Sequence, residues 1–191
     1  MEAFLVSTGI VALAEIGDKT QLLSFLLAAR FRQPVPIILG IFVATVLNHA
    51  LAGAAGAWVT HVLGPSVLRW VLGLSFIAMA GWMLIPDKLD AEVDERPRWG
   101  VFGTTLTTFF LAEMGDKTQI ATVALAAQYA SVVAVVLGTT LGMMLVNVPA
   151  VLVGERLAKR LPVGTVHVIA ALIFAALGVL ALLGGADSLL R

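Results

Sequence analysis

Apolar residues fill six stretches of the chain, at about 3–29, 36–60, 66–86, 100–128, 131–154 and 164–186. A helix needs roughly 20 apolar residues to cross a bilayer. The pattern therefore predicts an all-α membrane protein with six transmembrane helices. Punctuation falls between the stretches: "RFRQPVP" closes the first, "LGPS" divides the second from the third, and "RLPVG" the fifth from the sixth. The longest polar run, "PDKLDAEVDERPRW" from Pro86 to Trp99, divides the chain nearly in half and reads as a solvated linker.

Composition agrees. Of 191 residues, 60% are hydrophobic and 13% charged, and the mean hydropathy is +1.00. Soluble domains are nearer half apolar and a quarter charged. With no cysteine, disulfides and thiolate metal sites are excluded, and a formal net charge of zero argues against nucleic acid as a partner. The start, Met1-Glu2, has no Lys or Arg before Lys19, and its apolar run holds two acids, unlike a secretory signal. It reads as a first membrane helix that is retained.

The two halves resemble each other. An offset of 98 aligns Glu15 with Glu113, Asp18 with Asp116, Lys19 with Lys117, Gly40 with Gly138 and Phe76 with Phe174. The expected organisation is a first three-helix repeat at 1–86, a charged linker at 87–99 and a second repeat at 100–191. Three crossings per half is an odd number, so the second copy enters from the opposite side. That is the inverted-repeat design of many secondary transporters.

Lysines and arginines set the orientation. Arg30, Arg32, Lys88, Arg96, Arg98, Arg156, Lys159 and Arg160 fall on one side, and only Arg69 and Arg191 on the other. The positive-inside rule places the first group in the cytoplasm and both termini outside. Trp58 and Trp70 then mark the outer interface, Trp82 and Trp99 the inner one.

Polar positions inside the apolar stretches carry the chemistry. "EIGDKTQ" at 15–21 recurs as "EMGDKTQ" at 113–119. On a continuous helix Glu15 and Asp18 would share a face, and Glu15 would stand four residues before Lys19 in the favourable order. Each glutamate lies about a dozen residues into its stretch, ~18 Å deep at the helical rise, which is near mid-membrane. Gly17 and Gly115 lie between the acids, where a glycine permits a helix break or a close backbone approach. A charge at the bilayer centre costs roughly 3 kcal/mol on insertion scales, so six facing lipid would cost on the order of 15–20 kcal/mol. The six are therefore expected to face one another or a polar cavity.

Two acids and one lysine per copy leave a surplus of two negative charges. A divalent cation answers that surplus. Carboxylates, with the hydroxyls of Thr20 and Thr118 and the amides of Gln21 and Gln119, are hard oxygen donors suited to Mg, Ca or Mn, and the absence of Cys and of motif His disfavours Zn, Cu and Ni. Crowded empty carboxylates take up protons, and a bound metal expels them, so proton–cation exchange follows from one shared site. A purely structural ion-pair network is the bland alternative. The unequal count of acids and bases opposes it, as does the poor stabilisation that buried ion pairs give compared with apolar packing.

The paired hexapeptides "EIGDKT" and "EMGDKT" resemble the E-x-G-D-[KR]-[ST] signature of the Gdt-type Ca2+/Mn2+:proton antiporter family, which includes the human Golgi transporter and bacterial manganese exporters. The likeness covers nearly the whole chain, and the short linker is similar to that of compact bacterial members. It implies export of Mn2+ or Ca2+ from the cytoplasm across a bacterial inner membrane, with no prosthetic group. It implies that Glu15, Asp18, Glu113 and Asp116 bind the ion and exchange protons. Lys19 and Lys117 would balance charge, and Thr20 and Thr118 would complete the motif. The partners so implied are the bilayer, the divalent cation and protons, with a homo-oligomer left open.

Other polar residues are secondary candidates. Asn48 and His49 lie midway along the second stretch and Asn147 in the fifth; they either line the path or make interhelical hydrogen bonds. Pro149 is expected to kink its helix and free a carbonyl. Thr104, Thr105, Thr107 and Thr108 read as packing or back-bonded hydroxyls. His61 and His167 read as interfacial, Met143 and Met144 as packing, and "LAGAAGA" at 51–57 as close helix contact. Three rival functions remain: a passive cation channel, an amino-acid exporter, and an intramembrane aspartyl protease built on Asp18 and Asp116. The lysine beside each aspartate and the paired glutamates fit the protease poorly.

Overall fold

The structure is a computed structural model that describes residues 1–85, 99–129, 131–153 and 163–183. Its described elements are all helical: α1 (Glu2–Glu15), α2 (Lys19–Phe31), α3 (Pro34–Val62), α4 (Pro65–Met83), α5 (Gly100–Glu113), α6 (Lys117–Tyr129), α7 (Val132–Val153) and α8 (Val163–Leu182). Helices α5 and α6 repeat the bounds of α1 and α2 at an offset of 98, and α7 and α8 start 98 positions after α3 and α4. Prolines open α3 and α4, where a missing N–H costs nothing. Pro149 is accommodated inside α7, which continues to Val153. The central linker 86–98 and the loop 154–162 lie outside the described residues, and with them most of the Lys and Arg used to orient the chain.

The first and fourth apolar stretches are not continuous helices. Each breaks at the motif. Ile16 (φ −66°, ψ 114°) and Met114 (φ −63°, ψ 118°) are extended, and Gly17 (φ 83°) and Gly115 (φ 75°) follow in the left-handed region that side chains avoid. Asp18 is then the extended residue that caps α2. Glu15 and Asp18 consequently belong to different helices, and the shared-face and Glu15–Lys19 spacings expected of one helix do not form. Four helical segments, Pro34–Val62, Ser66–Met83, Val132–Val153 and Val163–Leu182, are long and apolar enough to cross a membrane. The expected first and fourth spans are instead pairs of 14- and 13-residue helices.

Packing is reciprocal between the halves. Helix α1 lies along α7, and α5 lies along α3. Gly40 of α3 faces Thr105 and the Phe102 carbonyl of α5; the corresponding Gly138 of α7 faces Ser7 and the Phe4 carbonyl of α1. Helices α4 and α8 run antiparallel, with Gly73 against Leu182 and the rings of the corresponding residues Phe76 and Phe174 tilted by 35° with centroids 6.2 Å apart. One apolar cluster joins α1, α4, α6, α7 and α8 around Phe76 and Phe174; a second joins α1, α2, α3, α5 and α7 around Ile41, Phe109 and Met143. Outward positions such as Leu39, Leu51, Trp58, Trp70, Leu137 and Leu172 are exposed and apolar, as a lipid-facing surface requires. Trp99 is likewise exposed, whereas Trp82 packs in part against the first cluster.

The "LAGAAGA" stretch does bring helices together: Gly53 faces Val136, and Gly56 faces the Val123 carbonyl and Ala126. A side chain at Gly56 meets backbone, which cannot rotate away. Gly56→Val is therefore expected to destabilise the fold by about 1–3 kcal/mol, read as a lower thermal midpoint in detergent. An unchanged midpoint would contradict this packing.

Candidate functional site

The two breaks bring the two motifs together, and their charges pair across the repeat. Lys19 Nζ lies 2.8 Å from Asp116 Oδ1, and Lys117 Nζ lies 3.8 Å from Asp18 Oδ1. Each lysine thus reaches the aspartate of the other copy. Glu15, Asp18, Glu113, Asp116 and Lys117 are buried, whereas the Lys19 side chain remains 25% exposed.

Each glutamate is held by the threonine of its own motif. Thr20 Oγ1 donates to Glu15 Oε1, and Thr118 Oγ1 donates to Glu113 Oε2 at 2.8 Å. The other carboxylate oxygens, Glu15 Oε2 and Glu113 Oε1, together with Asp116 Oδ2, are buried with no hydrogen-bond partner among the described residues. Buried oxygens of this kind are costly unless something else meets them.

The glutamines serve the backbone. Gly17 N–H donates to Gln21 Oε1 at 2.8 Å, and Gly115 N–H to Gln119 Oε1 at 2.7 Å. These bonds act like a capping box on the second half-helix. In this conformation the glutamine oxygens expected as supporting donors are engaged in shaping the breaks. Asn147 Nδ2 donates to Glu15 Oε1 at 3.3 Å, and its Oδ1 accepts from Ser24 Oγ at 2.7 Å. Asn48 instead donates to the Phe110 carbonyl at 3.1 Å and accepts from Gln119 Nε2 at 3.3 Å. His49, which the offset pairs with Asn147, is fully buried with neither ring nitrogen bonded among the described residues. Thr107 bonds back to Gly103, while Thr105 Oγ1 is buried without a hydrogen-bond partner among the described residues.

Two contacts lay beyond the sequence reading. Ser24 orients Asn147, and its buried polar place on a helix face carried no motif signal. His167 of α8, expected at an interface, donates from Nε2 to the Ile16 carbonyl at 2.8 Å, inside the first break.

Four carboxylates and two lysines concentrated in an apolar helical fold leave a surplus negative charge. Among the described residues no three His, Cys, Asp or Glu side chains stand together as a metal cage. The lysines hold the aspartates, and the second oxygen of each glutamate is left without a hydrogen-bond partner among the described residues.

Comparison with known proteins makes this a membrane transporter rather than an enzyme. The family model described as the divalent cation/proton antiporter GDT1 matches residues 3–91 and again 101–189, two stretches of equal length. The chain belongs to the GDT1 family of divalent cation/proton antiporters. It is 54% identical over 175 residues to the "Putative manganese exporter" of Vibrio cholerae serotype O1, covering 91% of this chain and 87% of that protein. It is 30% identical over 200 residues to "GDT1-like protein 4" of Oryza sativa subsp. indica, covering 91% and 70%. With "GDT1-like protein sll0615" of Synechocystis the identity is 28% over 193 residues, covering 91% and 93%. No solved structure matches the chain.

Proposed function

We propose that this protein exports a divalent cation from the cytoplasm, Mn2+ foremost, in exchange for protons, at a midplane site formed by Glu15, Asp18, Glu113 and Asp116. The observation that carries this reading is the crossed pairing of Lys19 with Asp116 and Lys117 with Asp18, which leaves the glutamate oxygens buried and available. Protons or a divalent cation can satisfy the same oxygens, but not both at once, and that competition is exchange. Oxygen donors admit both Mn2+ and Ca2+; the name of the Vibrio cholerae relative favours Mn2+.

The same proposal includes the architecture. Each broken pair, α1–α2 and α5–α6, crosses the membrane once, giving six crossings in two inverted repeats. The twofold family match, the antiparallel α4–α8 pair and the reciprocal glycine contacts support this. Both termini then lie outside the cytoplasm of a bacterial inner membrane, by the charge distribution.

The test is uptake of Mn2+, Ca2+ or Mg2+ into proteoliposomes, with and without a pH gradient. The expected result is cation accumulation against its own gradient, driven by the proton gradient and accompanied by counterflow of protons, with Mn2+ taken in preference to Mg2+. Passive equilibration insensitive to the pH gradient would instead establish a channel.

A further inference from the structure

The two breaks are chemically alike but differently covered. At the first, the start of α8 closes in: His167 bonds the Ile16 carbonyl at 2.8 Å, and Val163 leaves no room for a side chain at Gly17. At the second, Gly115 is itself exposed and Met114 is 52% exposed. The lysines show a matching asymmetry. Lys117 lies 3.4 Å from the Ile85 carbonyl just beyond α4 and is 1% exposed, while its counterpart Lys19 is 25% exposed.

Ile85 and Val163 adjoin the segments 86–98 and 154–162, which hold Lys88, Arg96, Arg98, Arg156, Lys159 and Arg160. Both coverings therefore come from the same, lysine- and arginine-rich end of the α4–α8 pair. These contacts cover the motifs from the end that the charge distribution assigns to the cytoplasm.

Alternating access in inverted-repeat transporters is rocking or gating of one repeat against the other around a fixed site, and between two like copies such rocking exchanges their roles. The offset of 98 pairs His167 with Arg69, Val163 with Pro65, Ile16 with Met114 and Gly17 with Gly115. We propose that His167 and Arg69 are equivalent latch residues. His167 holds the Ile16 carbonyl in the observed state, and Arg69, now exposed on α4, donates to the Met114 carbonyl when the outer side closes. Neither touches the cation; both act by positioning a broken helix. In that state Pro65 covers Gly115, and Lys19 turns to the Leu183 carbonyl.

This inference rests on the exchange reading and the inverted repeat, and its test is independent of flux. The chain has no cysteine, so introduced pairs report alone. Ile16→Cys with Val163→Cys is expected to cross-link readily in membranes without any gradient. Met114→Cys with Pro65→Cys is expected to cross-link more slowly, because it reports the other state. Adding His167→Ala should raise the rate of the second cross-link about fivefold, the weight of one hydrogen bond. Adding Arg69→Ala should lower it comparably. A second cross-link whose rate responds to neither substitution, in chains whose first pair still forms, would overturn the latch. Loss of proton-coupled flux in the reduced chains, with these cross-link rates as expected, would instead count against the exchange reading alone.

Discussion

Replacing Glu15 with Gln is expected to lower proton-driven cation flux at least about 100-fold while leaving the protein folded. The amide preserves shape and can still accept from Thr20 and Asn147. It removes one of the charges that answer the cation and the only atoms of that side chain that take up a proton. Loss of a buried charge partner is worth about 3 kcal/mol or more, which is the stated factor. Glu113→Gln is expected to behave alike, because Thr118 holds it in the same way. Initial rates in proteoliposomes check both, with thermal unfolding in detergent as the control for folding. Flux near wild-type in the well-folded Glu15→Gln protein would remove the glutamate from the site.

The second large effect separates stability from transport. Lys19→Met leaves the Asp116 carboxylate buried beside an apolar chain in place of a cation at 2.8 Å. Breaking such a pair typically costs 3–5 kcal/mol, and the partial exposure of Lys19 puts the expected loss near the lower end, about 3 kcal/mol. Lys19→Met combined with Asp116→Asn removes both charges, and most of that loss is expected to return. Flux is not expected to return, because the double variant lacks a carboxylate of the proposed site. A double variant as unstable as the single one would show that the two residues do not pair across the repeat.

The sequence carried the repeat and the motif because both are written at a fixed spacing, and the helices keep that spacing almost residue for residue. What it could not carry was the partner of each lysine. Spacing on one helix pointed from Lys19 to Glu15; the left-handed Gly17 ends that helix, and the partner is Asp116. Apolarity reports transfer into lipid and is blind to backbone dihedrals, so a broken pair and one long span look the same. The glutamines mark the same boundary. Their oxygen chemistry suggested a ligand, whereas Gln21 and Gln119 accept from the backbone N–H of Gly17 and Gly115, a role that side-chain chemistry alone does not reveal. His167 was invisible as a site neighbour because only the packing of α8 brings it to Ile16.

The crossed lysine–aspartate pairs have a consequence for the integrity of each half. Neither half contains both members of either pair, so a half-chain inserted alone would carry a lysine and an aspartate without their mates. Only a companion carrying the other motif, the second half or another copy of the same half, could supply them. Residues 1–98 and 99–191 produced as separate polypeptides should therefore survive in the membrane together and be degraded apart. The crossed charges would then add specificity to the apolar packing of α1 on α7, α3 on α5 and α4 on α8 that joins the halves.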